Sequence, residues 1–174
     1  DRFARLTSLW PTADAWTRCD ILDALHGTAD ASIADFVVKV LAEEQLPDVV
    51  ERRARWLAVD LGDQLGSAFT DALSAGAAVP GQARRLRLLG NLVSAKLIAP
   101  EAGLKMLEQA VQGARPAARA AAAHALIAIS NGAKDELIDQ SAALLIDWIA
   151  SDPERQVRGT AIRSLARVRP ASDA

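Results

Sequence analysis

No tyrosine occurs in these 174 residues, and there are only seven aromatic residues, one cysteine and two histidines. Each shortage excludes something. Strands favour β-branched and aromatic side chains, whereas the 51% apolar share is carried here mainly by alanine and leucine, so helices are expected throughout. The lone Cys19 excludes a disulfide framework and a cysteine-based zinc site, and makes a reduced, cytoplasmic setting the expectation. No stretch approaches the ~18 continuous apolar residues of a membrane span, and no signal peptide is visible. The first residue is Asp1 rather than methionine, as in a processed form or a piece of a longer chain. A net charge of −2 implies no partner by itself.

What is present is a repeat. Five of the seven prolines, Pro11, Pro47, Pro80, Pro116 and Pro153, precede or open helical stretches, where a missing N–H costs nothing. Each is followed within three to seven residues by a reference arginine: Arg18, Arg52, Arg85, Arg119 and Arg158, spaced 34, 33, 34 and 39 residues apart. Four residues beyond each stand Leu22, Trp56, Leu89, Ala123 and Ile162. Seven beyond stand Leu25, Val59, Leu92, Leu126 and Leu165. All ten are apolar and fall on one helical face, so all ten are expected in a core.

Other amphipathic segments lie between these stretches: Ile33 to Leu41, Leu65 to Leu73, Leu104 to Val111, and 135–150, the last apolar on two sides. Residues 3–9 read as the remnant of one more helix. Turn signals fall at His26-Gly27, Gly62, 76–81, Ala99-Pro100, Gly113, Asn131-Gly132 and 151–153. The unit is a helix–turn–helix of about 35 residues, repeated without a linker, so 1–174 is expected to be one domain.

The segment Asp152-Pro153-Glu154-Arg155-Gln156-Val157-Arg158, followed by Ala161, Ile162, Leu165 and Val168, resembles the second-helix signature of HEAT repeats. In that family an aspartate in the turn and an arginine six residues on tie neighbouring repeats together, and Asp152 and Arg158 match both. Arg119 through Ile129 resembles it more loosely, with Gly113 in place of the aspartate, and the three earlier repeats keep only the arginine and the apolar positions. The resemblance implies an all-α, right-handed α-solenoid of about five hairpins, with second helices lining a concave face. It implies a structural, inter-repeat role for Arg52, Arg85, Arg119, Asp152 and Arg158. It also implies a scaffold or protein-binding module rather than an enzyme.

Charge is segregated along the chain. The stretches 47–61, 80–97, 115–131 and 153–169 hold thirteen arginines and one lysine against Asp48, Glu51, Asp60 and Glu154, while the remainder is acidic. A solenoid would then present a basic concave face to a protein or acidic peptide, or alternatively to nucleic acid. The expected contact residues are Arg84, Arg87, His124, Arg163 and Arg167. All but Arg84 belong to a column two, five and nine residues after each reference arginine. In the last three repeats the column reads Arg87-Gly90-Ser94, Ala121-His124-Ala128 and Thr160-Arg163-Arg167, small or polar enough to face solvent. Its counterpart Ala54-Leu57-Leu61 is apolar, a partner pocket or plain core.

Catalytic groups are scarce. His26 ends a helix and suits its dipole; His124 sits in an alanine-rich helix whose small residues allow close packing. Cys19 reads as a small buried hydrophobe, and the acid pairs Glu43-Glu44 and Asp135-Glu136 read as solvated. No phosphate loop, serine elbow or metal cluster is found, and neither a catalytic residue nor a cofactor is expected. Some HEAT-like proteins are DNA glycosylases for alkylated bases, using Trp and Asp or Glu in a basic groove, and Trp56 with Asp60, or Trp148 beside Asp147, is the nearest match. Trp56, however, occupies a position expected in the core.

Overall fold

The computed structural model describes residues 2–28, 30, 32–74 and 81–168, and among them the regular structure is entirely helical. Pro80 and Arg169 lie outside the described residues. The chain divides into two compact units, Asp1–Ala72 and Leu73–Ala174.

In the first unit, α1 (Arg2–Ser8), α2 (Ala15–Leu25), α3 (Ser32–Ala42) and α4 (Asp48–Leu61) are followed by α5 (Gly66–Ser74), which crosses the unit boundary. Asp14 caps α2, accepting from Thr17 N at 2.7 Å. α4 packs against both α2 and α3. Asp23 meets Arg53 at 3.3 Å and His26 Nδ1 bonds Asp60, so α2 and α4 run in the same direction. Trp10 is buried edge-on to Phe36 at 5.1 Å, and Phe3 of α1 meets the same ring at 6.1 Å.

In the second unit, α6 (Gln82–Ser94), α8 (Pro116–Ser130) and α10 (Arg155–Leu165) lie side by side, α8 between the other two. α7 (Pro100–Val111) packs on α6 and α8, and α9 (Asp135–Ser151) on α8 and α10. α6 stops three residues short of the stretch expected to end at Leu97. Leu97 N bonds Leu92 O and Lys96 takes the left-handed conformation (φ 62°), a helix-ending motif usually made with glycine.

The alanine-rich α8 packs as closely as expected. Ala118, Ala121, Ala122, Ala123 and Ala125 are buried. A Cβ on Gly90 of α6 would stand 3.3 Å from the Ala125 Cα, so small residues on both sides set the α6–α8 spacing. Gly103 of α7 is tighter: an added Cβ would lie 2.8 Å from Val93 Cγ2 and 3.5 Å from Ile129 Cγ1. Gly103→Ala should therefore destabilise by about 1 kcal/mol net, because overpacking exceeds the gain in helix propensity. In a Val93→Ala background the same substitution should cost nothing. Urea melts of the four proteins check this.

The expected core faces hold in three helices and fail in two. Leu22, Leu25, Leu89, Leu92, Ala123 and Leu126 are all buried. Trp56, by contrast, is 50% exposed and Ile162 55% exposed, while Val59 and Leu165 are only half-buried. On α8 this face also carries Arg119, which reaches the turn into α10. α10 follows α8 with no described helix on its far side, and among the described residues of the first unit no helix follows α4 in that layer. α4 instead buries Val50, Ala54, Leu57, Ala58 and Leu61, so the apolar column of the second repeat is core. Gly90 and Ala121 of the supposed solvent-facing column are buried as well, because they form the close α6–α8 contact.

Candidate functional site

The five reference arginines each have different surroundings. Arg18 is sandwiched: its guanidinium lies 5.0 Å from the Trp10 ring centre, and Nη1 donates to Glu43 Oε2 at 3.0 Å. Glu43 also accepts from Trp10 Nε1. This carboxylate thus joins Trp10, in the short turn between α1 and α2, to Arg18 of α2, a role invisible until the end of α3 meets them. Arg52, expected to tie repeats, is exposed and forms no ion pair among the described residues. Arg85 is buried, and desolvation pulls its pKa below the ordinary guanidinium value.

Arg119 makes the strongest contact. Its Nε and Nη2 reach the two Asp152 oxygens at 2.6 and 3.0 Å, a bidentate pair, and Nη1 donates to the Ala114 carbonyl. The Arg119 hydrogen bond holds the Asp152 carboxyl below its ordinary pKa; the same bond raises that of Arg119. Asp152 additionally accepts from Glu154 N at 2.9 Å, fixing the turn into α10. The N-terminal turn of α8 is thereby tied to that of α10. Arg158 donates Nη1 to the Asp152 and Pro153 carbonyls, each at 2.8 Å.

The residues expected to meet a partner are not equivalent. Arg84 is half-buried and Arg87 exposed, and each already has partners within the protein. His124 is exposed on α8. Arg163, in the last turn of α10, and Arg167, two residues beyond its end, are exposed; Arg163 donates to Thr160 Oγ1 at 3.1 Å, and neither forms an ion pair among the described residues. Since α6, α8 and α10 lie side by side, His124 and Arg163 occupy corresponding positions on adjacent helices, and Arg87 stands one turn earlier on α6.

Trp56 is open to solvent, but Arg53 lies 5.2 Å over its ring and Asp60 is bonded to His26. Trp148 is buried and its neighbour Asp147 exposed. His26 closes α2 as expected, with a carboxylate on its ring. Cys19 is buried, and that burial pushes its thiol pKa up. Among the described residues no three His, Cys, Asp or Glu side chains converge on a metal position, and no helix is long and apolar enough to cross a membrane.

One feature was missed from the sequence. A cleft of about 470 Å³ opens between α7 and α9, with Leu104 and Leu137 as buried lining residues and Glu101, Glu108, Lys105 and Lys134 among its charged ones. The two helices are far apart in sequence, so no periodicity signals it. Its mixed charges favour neither anion nor cation. No protein-family model matches the chain, and neither a curated protein nor a solved structure does.

Proposed function

We propose that the chain is a HEAT-like helical-repeat module whose second helices, α6, α8 and α10, receive an acidic segment of a partner protein. Exposed, unpaired Arg163 and Arg167 carry this reading: two guanidinium forks one turn apart, with no carboxylate on either among the described residues. Arg87 and His124 are exposed on the two neighbouring helices of the same layer. The Arg119–Asp152 bond between successive hairpins supports the HEAT likeness, since it joins the residue types that such repeats use for stacking. Nucleic acid is the alternative ligand, drawn to the same arginines. For the glycosylase variant of that reading, Trp56 and Asp60 would first have to leave Arg53 and His26.

The test is fluorescence anisotropy with a labelled glutamate-rich peptide and, in parallel, a labelled DNA duplex. The peptide is expected to bind, more weakly as salt rises. Arg163→Glu combined with Arg167→Glu should cut its affinity at least about tenfold, a loss of ~1.4 kcal/mol, with an unchanged melting temperature. Tighter binding of DNA than of peptide at equal salt would transfer the assignment to nucleic acid. A double variant that binds like the parent would place the site elsewhere.

A further inference from the structure

The far side of α10 carries a stacking face on which no described helix packs. On α8 the corresponding face is Arg119, Ala123 and Leu126. The two apolar residues are fully buried, and Arg119 divides its donors between its own turn and the Asp152 carboxylate of the next hairpin. α10 repeats the set as Arg158, Ile162 and Leu165. Arg158 Nη1 makes the corresponding bonds to its own turn, at 2.8 Å. No carboxylate, however, pairs with its Nε and Nη2 among the described residues, and Ile162 is 55% exposed. What α8 has defines what α10 lacks: a helix with apolar surface and a carboxylate close to its N-terminus.

α2 offers both. Its first turn exposes Trp16 (73%), a residue type enriched at the buried centres of interfaces. Asp14 caps that turn, and Asp20 stands one turn beyond Trp16; both are exposed. The charges are opposite too. α2 and its cap hold Asp14 and Asp20, with Asp23 already paired to Arg53 and Arg18 to Glu43, whereas α10 holds Arg155, Arg158 and Arg163 with Glu154 as its cap.

We propose that α10 of one copy packs against α2 of a second copy, Ile162 against Trp16 and Arg158 toward Asp14 and Asp20. The contact continues between molecules the mode of stacking that joins α8 to α10 within one. Its two surfaces differ, so the association is heterologous, each copy offering one face of each kind. It rests on the α8–α10 contact and is independent of the acidic-segment reading.

Sedimentation velocity of the full chain tests it. The mean mass is expected to climb between about 5 and 500 µM protein, and to climb less in high salt. Ile162→Glu and Trp16→Glu each remove one face, and each alone should be monomeric. Both positions are more than half exposed, so the fold should survive. Ile162→Ser and Trp16→Ser serve the same comparison should a glutamate variant melt early. A one-to-one mixture of the two variants retains one intact contact and should give dimers that do not grow. A wild type that stays monomeric, a single variant that still associates, or a mixture that stays monomeric would overturn the proposal.

Discussion

Replacing Leu126 with alanine is expected to lower the stability of the protein by about 2–5 kcal/mol. Leu126 is fully buried on α8, the helix between α6 and α10, with α7 and α9 also packed on it. Removing its isobutyl group takes away the transfer free energy of the buried carbons and leaves a cavity. Its surroundings can collapse little, because the α6–α8 spacing is already set by contacts between Gly90 and Ala125. The loss should therefore fall in the upper half of that range. Urea denaturation followed by circular dichroism measures it. A midpoint unchanged from the parent would mean that α8 does not present this face to its neighbours. Leu165→Ala, seven residues beyond Arg158 as Leu126 is beyond Arg119, should cost distinctly less, since Leu165 is only half-buried.

The second large effect concerns the Arg119–Asp152 pair. The Asp152 side chain retains 4% of its exposure and that of Arg119 20%, so Asp152→Ala leaves a largely desolvated guanidinium without its counter-charge. The expected cost is about 2–4 kcal/mol, less than for a wholly buried ion because water still reaches Arg119. Asp152 also accepts from Glu154 N, so the turn into α10 loosens with it. The pair predicts a pH dependence. Because Arg119 lowers the carboxyl pKa in the folded state, the contribution is fully present above the unfolded carboxylate value of about 3.9, and is lost as the pH falls through the lower folded value. Asp152→Asn abolishes this titration. The stability gap between parent and Asp152→Asn should thus be wide at neutral pH and close below about pH 4. Denaturant melts at several pH values measure it, and a gap of constant width would show that the carboxylate is not held by Arg119.

Much of the helical layout was legible in the sequence. Ten apolar positions tied to five arginines located the second helices, and the intervening stripes located their partners, because a one-faced helix writes its 3.6-residue period directly into the order of residues. The burial of Leu22, Leu89 and Leu126 followed from that period alone. Which apolar residues would stay wet did not. Trp56 and Ile162 satisfy the same pattern as Leu22 and Leu89, and their exposure depends on whether a further helix packs beside α4 or α10. Glu43 shows the same limit from the polar side: as one of a pair of glutamates ending a helix it reads as solvated, yet Trp10 and Arg18 converge on it.

The arginines divide along this line. Their regular spacing is a property of the chain, and the likeness of Asp152 and Arg158 to a HEAT turn can be read residue by residue. Asp152 in fact takes the side chain of Arg119, 33 residues away, while Arg158 holds the turn carbonyls. Only packing could choose between these partners, because a guanidinium bonds whichever carboxylate or carbonyl the neighbouring helix brings within reach. Helix period, turn positions and charge segregation were thus determined by local sequence. Tertiary contact alone decided which cations are neutralised and which, like Arg163 and Arg167, remain open to solvent.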